Sequence, residues 1–191
     1  GTVKAVEPRM TTSGSRVLSV VVESDGMFET VPGFDERCDI SSLTKEEIRA
    51  KIRGAGIVGM GGAGFPTHVK LAPKDDEAIE YVIINGAECE PYLTSDYRMM
   101  LEEPQNIIDG LKIELALFPK AKGIIAVEDN KRDAAERLAE LIKGESRIQV
   151  MLLPTKYPQG AERVLIYAVT GRKINSSMLP ADAGCIVSNV D

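Results

Sequence analysis

Cysteine and histidine are scarce in this chain, and their scarcity excludes several chemistries. Three cysteines, Cys38, Cys89 and Cys185, are spread over 191 residues with no C-x-x-C pair. So sparse and odd a set argues against a disulfide framework and a zinc site, and for a reducing compartment. It argues equally against a cubane iron–sulfur cluster within this segment, because such clusters take four organised thiolates. The one histidine, His68, has no cysteine or carboxylate partner at ligand spacing and reads as a polar helix residue near a pocket. With a single histidine and no G-x-S-x-G, neither Ser/His/Asp nor Cys/His nucleophilic catalysis is available. No apolar run approaches about 18 residues, so no direct membrane insertion is expected. No signal-peptide pattern is present, and Gly1 opens inside what reads as a strand. The net charge is −6 with no basic block, so nucleic acid is not an expected partner. Internal repeats and low-complexity segments are also missing. What remains is a hydrophobic content of 43% and a charged content of 27%, the balance of an ordinary globular protein.

The richest feature is a glycine-dense segment, Gly54, Gly56, Gly59, Gly61, Gly62 and Gly64, closed by Phe65-Pro66-Thr67-His68-Val69-Lys70. Such a run gives up packing and chain entropy, and gains a backbone that a flat or anionic ligand can approach closely. Pro66 suits the first position of a short helix, whose free N–H groups attract phosphate. Lys70, a helical turn further on, adds a full positive charge. Phe65 places an aromatic face at the mouth. The combination reads as a site for a phosphorylated aromatic cofactor. Gly54-x-Gly56-x-x-Gly59 has the spacing of the dinucleotide fingerprint, but it follows a helix with a Thr44–Glu47 capping box instead of a strand. Gly59 and Gly64 have P-loop spacing, but Phe65-Pro66 replaces the required Lys-Ser/Thr. A plain linker would favour serine and polar residues over interleaved Ile, Val, Met, Phe and Pro.

Along the chain, residues 1–26 read as two short strands around a turn at Pro8–Gly14, marginal on their own. Residues 27–43 read as a linker. From Thr44 helices and strands alternate: a helix at 44–53, strands at 81–84, 123–127 and 147–153, and helices at 104–117, 131–143 and 158–169. The continuous apolar run Tyr81-Val-Ile-Ile84 suits a strand buried on both faces. β-α-β-α alternation implies a parallel sheet with helices on it, that is, an α/β domain over 44–191. Ligands of such sheets bind beyond the carboxyl ends of the strands. Asn85-Gly-Ala-Glu-Cys-Glu-Pro91 follows one strand and Tyr157-Pro-Gln-Gly160 another, so both motifs belong to that edge, with the glycine loop over it. Asn85 can hydrogen-bond a polar chain or ring edge. Glu88 and Glu90, two residues apart in an extended loop, are expected on one side. Tyr157 and Gly160 are expected to open a helix whose first turn holds Glu162, where an acid also suits the dipole.

Gly59-Met-Gly-Gly-Ala-Gly-Phe-Pro-Thr67 with Lys70, Asn85-Gly-Ala-Glu-Cys-Glu-Pro91, and Tyr157-Pro-Gln-Gly-Ala-Glu162 together resemble the flavin-binding subunit of respiratory complex I, and still more the C subunit of the Rnf electron-transport complex. The three motifs stand in the family's order, and the resemblance runs through the chain. It implies a Rossmann-like parallel sheet flanked by helices, with 1–26 a short N-terminal β fragment of a barrel-sandwich module. It implies FMN as cofactor, NADH as substrate, and 4Fe-4S clusters in the full-length protein outside this segment. The cofactor-binding residues it implies are Gly59, Gly61, Gly62, Gly64, Phe65, Lys70, Asn85, Glu88, Glu90, Tyr157, Gly160 and Glu162. The partners it implies are NAD(H) and the other subunits of a membrane electron-transport complex, at the cytoplasmic face. Three departures stand out: Met60 for an arginine, Ala87 for an aspartate and Ala161 for the first of two glutamates. Hydride transfer suits this inventory because the cofactor does the hard chemistry. The alternatives are a soluble electron-transfer adaptor of the same family feeding a partner reductase, and a docking module with an empty pocket.

Overall fold

The computed structural model describes every residue except Thr12, Asp35, Gly61, Gly62, Ala63 and Asp191. Internal contacts divide the chain into two compact units, Gly1–Cys38 and Asp39–Asp191. In the first, β1 (Thr2–Met10) and β2 (Arg16–Glu23) form an antiparallel hairpin, with Met10 opposite Arg16 and a register shift between Val3 and Ala5. The turn is tighter than Pro8–Gly14: β1 runs through Pro8 and Arg9 to Met10, and the Thr11 N–H donates to Ser15 O at 2.9 Å. Pro8 is accommodated because proline fits a strand whose other edge carries no pairing.

The second unit begins with α1 (Lys45–Gly54). Its capping box is as the sequence requires: the Thr44 side chain accepts from the Glu47 N–H at 3.2 Å, and Glu47 Oε2 accepts from the Thr44 N–H at 2.8 Å. Ile48 and Ile52, one turn apart, are its buried face. There follow α2 (Thr67–Lys70), β3 (Tyr81–Gly86), α3 (Ser95–Glu102), α4 (Pro104–Leu117), β4 (Lys122–Glu128), α5 (Arg132–Leu141), β5 (Ile148–Leu153), α6 (Glu162–Thr170) and β6 (Cys185–Asn189). The strands make one parallel sheet in the order β5-β4-β3-β6.

Strand alternation sorts the core into two layers. Val82, Ile84, Ile125, Val127 and Ile186 face Ile108, Leu111, Ala134 and Leu138 of α4 and α5. Ile83, Ile124, Ala126 and Val187 face Leu165 and Ile166 of α6. Helices thus cover both faces, which is why 81–84 of β3 and 123–127 of β4 are continuous apolar runs. The chain steps outward from β3 to β4 to β5, then returns by α6 on the opposite face and lays β6 against the other side of β3. The direction of winding therefore reverses between β3 and β6, the place where an open α/β sheet leaves a crevice for a ligand.

Three elements differ from sequence expectation. The 158–169 helix begins only at Glu162, and Tyr157–Gly160 form the turn before it; the expected stop holds, with Gly171 left-handed at φ 73°. Helix α3 and strand β6 were not expected. The first is short and its buried face rests on Met100 alone; the second has five residues, ending in Ser188 and Asn189.

A candidate cofactor crevice at the strand ends

Asn85 and Asn189 are register partners at the carboxyl ends of β3 and β6. Asn85 Nδ2 donates to Gly160 O at 2.9 Å and lies 3.4 Å from Asn189 Oδ1, while its own Oδ1 accepts from the Ala87 N–H at 3.2 Å. Two carboxamides therefore meet at the switch point. Gly160 fixes the turn before α6 onto the loop after β3: its N–H donates to Cys89 Sγ at 3.3 Å, and a Cβ there would stand 2.3 Å from Ala87 O. No side chain fits at 160, which is the physical reason for that glycine.

The glycine loop is closed at its neck. The Gly59 N–H donates to Phe65 O at 2.9 Å, the Thr67 N–H to Ile57 O at 3.1 Å, and Val58 bridges Pro66. Gly64 takes φ 60°, and Phe65 is 49% exposed, so its ring is available to a ligand. Gly61 and Gly62 lie outside the described residues. Helix α2 has four residues, too few to add up an appreciable dipole. The cation expected there is present: Lys70 Nζ donates to Val187 O at 2.7 Å, beside the end of β6. An ammonium has three donors, and among the described residues Lys70 spends one of them on Val187 O. His68 is half-buried on the same short helix and, among the described residues, no His/Cys/Asp/Glu cluster can hold a metal.

A cleft of about 370 Å³ opens at the ends of β3, β4 and β5, lined by residues including Glu88, Glu90, Tyr157 and Lys131. Glu88 and Glu90 do not share a role. Glu88 is buried and caps α3, its Oε1 accepting from the Asp96 N–H at 3.0 Å and its Oε2 from the Tyr97 N–H at 3.3 Å. Glu90 is exposed and pairs with the Tyr157 hydroxyl, which pushes the Tyr157 phenol above its ordinary value. Tyr157 is 67% exposed and presents its ring to the cleft. Glu162 is exposed at the start of α6 and does not line the cleft.

Sequence reasoning missed several groups. Lys131 and Glu128 are buried in the cleft floor. Lys131 Nζ donates to Glu88 O at 3.1 Å and stands 3.9 Å from the Glu88 and 3.8 Å from the Glu128 carboxylate. Gln159 is fully buried, its Nε2 donating to Pro154 O at 3.0 Å and its Oε1 unpartnered. Asn189 and Glu114 complete the set. The i, i+3 spacing of Glu128 and Lys131 after an apolar strand was the one available signal.

Paired amides at a switch point, a cation beside them and a glycine loop closed at its neck define the class: an α/β domain with a candidate cofactor crevice at its strand ends. The chain belongs to the family described as the Nuo51 FMN-binding domain, whose model matches residues 52–191, and within it to the C subunits of Rnf-type complexes. It is 49% identical over 190 residues to the C subunit of the Na(+)-translocating ferredoxin:NAD(+) oxidoreductase complex of Acetobacterium woodii, covering 100% of this chain and 43% of that protein. It is 48% identical over 172 residues to the C subunit of the proton-translocating ferredoxin:NAD(+) oxidoreductase complex of Clostridium ljungdahlii, covering 90% of this chain and 37% of that one. The chain thus spans less than half the length of these relatives. Among solved structures, a NAD+-reducing NiFe-hydrogenase in the H2-reduced state superposes with a TM-score of 0.63 at 23% identity, over 80% of this chain and 30% of that one, a likeness of fold. Among the described residues no helix is long and apolar enough to cross a membrane.

Proposed function

We propose that this domain binds FMN in the β3/β6 crevice and forms the electron-entry module of an Rnf-type complex. Bound there, FMN would supply the chemistry that converts a two-electron hydride from NADH into single electrons for 4Fe-4S clusters outside this segment, while the chain's own residues hold and orient it. The observation that carries the reading is the Asn85/Asn189 pair at the switch point with Lys70 anchored close by on the same strand, at Val187. The residues fit the group. Among the described residues Lys70 spends one donor on Val187 O and can offer others to a phosphate, and the backbone around Gly59 and Gly64 is open to close approach. Asn85 and Asn189 present donors and acceptors to the polar chain or ring edge. Gly160 lets the turn lie flat against the floor. Phe65 and Tyr157 supply exposed rings against which a nicotinamide can stack. Glu90 sets the charge at the mouth. Glu88, spent on α3, holds the cleft wall, and Glu162, exposed outside the cleft, would meet the outer part of a dinucleotide. The host is a membrane electron-transport complex, met at its cytoplasmic face, and the hairpin of the first unit is part of a barrel-sandwich module.

The deciding experiment is an anaerobic titration of the FMN-loaded protein with NADH, followed by the flavin absorbance. Bleaching with one NADH per flavin supports the module. A flavin that binds but does not bleach points to the electron-transfer adaptor. Failure to bind FMN ends both readings.

A further inference from the structure

Glu114 is a carboxylic acid in an apolar place. It projects from the middle of α4, the helix that also buries Ile108, Leu111 and Leu115, and is 8% exposed. Its Oε1 accepts from Ser188 Oγ at 2.7 Å, while its Oε2 is buried with no partner. Ser188 lies between Val187, whose carbonyl holds Lys70, and Asn189, which meets Asn85. Carboxyl and cation are thus tied to successive residues of the strand that forms one side of the crevice. Burial pushes the Glu114 acid above its ordinary value, opposed by the Ser188 hydrogen bond and by the charge of Lys70. On the elements packed against α4, Arg49 of α1 pairs with Asp76, Arg98 of α3 with Glu102, and Lys112 of α4 itself with Glu145, while Lys51, Arg53, Lys122, Arg132 and Arg137 are further cations there. Lys70, held at the neighbouring Val187 carbonyl, is the cation whose charge favours the ionised form of this acid.

An anion taken up by Lys70 cancels that field. A buried carboxylate then loses the charge that favours its ionised form, and an unpaired charge costs far more in a dry interior than an unpaired hydroxyl. We propose that Glu114 is a positioning residue that couples loading of the anion end of the crevice to uptake of a proton. It shares the field of Lys70 while the crevice is empty and holds a proton on Oε2 once an anion engages that cation. The proton comes from solvent and no electrons move. The carboxylate becomes a neutral acid, still accepting from Ser188, so β6 keeps its place. This rests on the assignment of Lys70 to the FMN phosphate.

The test is calorimetry of FMN binding to the full chain at about pH 8, where a phosphate with a second pKa of about 6 is already a dianion and releases nothing itself. Comparing two buffers of different ionisation heat gives the protons taken up per FMN. The expected result is a net uptake of a fraction of a proton per FMN for the wild type, and close to none for Glu114→Gln or when riboflavin replaces FMN. The carboxyl carbon-13 signal of Glu114 in the wild type should also titrate about one unit or more higher with FMN than without. That signal decides the matter even if the glutamine variant folds poorly. No uptake by the wild type, equal uptake by both proteins, or an unmoved signal would overturn the coupling. If FMN still outbinds riboflavin through Lys70 in that case, the phosphate assignment survives it. If FMN and riboflavin bind alike, the assignment and the coupling fall together.

Discussion

Alanine at position 160 puts a methyl where none fits. The added Cβ would lie 2.3 Å from Ala87 O and 3.4 Å from Cys89 Sγ, and the first of these is backbone at the exit of β3. Neither side can yield without moving the loop that carries Asn85, Glu88 and Glu90 away from the turn that carries Tyr157. Overpacking of this kind costs about 1–3 kcal/mol. Separation also strains the Asn85–Gly160 hydrogen bond at 2.9 Å, worth about 1 kcal/mol net. Gly160→Ala should therefore lose about 2–4 kcal/mol. At roughly 2–4 °C per kcal/mol for a unit of this size, melting should fall by roughly 4–16 °C. The crevice should widen with it, so FMN affinity should drop tenfold or more, since about 1.4 kcal/mol is a factor of ten. Gly171→Ala is the control: it sits at φ 73° with nothing within 4 Å of an added methyl. It should cost only the left-handed penalty of about 1–2 kcal/mol and leave FMN affinity unchanged. Thermal unfolding and flavin fluorescence on the same preparations measure both quantities. A Gly160→Ala protein that melts like the wild type and binds FMN normally would refute the contact, and with it the claim that this turn is fixed against the loop after β3.

Three further outcomes are expected. Lys70→Ala should weaken FMN binding by about 1.5–3 kcal/mol, the range for charged hydrogen bonds, and leave riboflavin binding nearly unchanged; an equal loss for both ligands would remove Lys70 from the phosphate. Phe65→Ala should keep most of its flavin yet be reduced by NADH roughly three- to tenfold more slowly, because stacking is worth about 0.5–1.5 kcal/mol; a normal stopped-flow rate would return Phe65 to a structural role. Glu114, whose folded value is raised, binds its proton more tightly in the native state, so its contribution is complete below the ordinary glutamate value of 4.5 and is lost as pH rises through the folded value; urea midpoints should decline across that window for the wild type and not for Glu114→Gln.

The fold was legible where one local rule sufficed. Thr44 and Glu47 announce α1 by reciprocal capping, Pro104 and Gly171 punctuate α4 and α6, and the apolar runs at 81–84 and 123–127 are strands buried on two faces. Legibility failed where tertiary pairing overrides local preference. Strand β6 has too few residues to declare itself, and its register against β3 exists only once α6 has crossed the sheet. The start of α6 slipped because Pro158 looks like a first helical residue, whereas Gly160 and Gln159 are committed to contacts with Cys89 and Pro154.

The site shows the same division at the level of side chains. The places of Lys70 and Asn85 in the fold were readable because each stands at a position the chain's own punctuation marks, one after a glycine loop and the other at a strand end. Glu88 sits in an equally marked place, and there the sequence misleads. A glutamate two residues past a strand looks free to reach a ligand, but α3 begins a few residues later without a side-chain cap of its own. The orphan N–H groups of that helix must be satisfied, and Glu88 satisfies two of them. Burying this carboxylate then requires a cation nearby, which Lys131 supplies from 43 residues further along the chain. Glu128, at the end of β4, shares the same ammonium. The acidic motif therefore contributes one residue, Glu90, whose charge reaches the open cleft, and another, Glu88, whose charge is consumed in building the wall behind it.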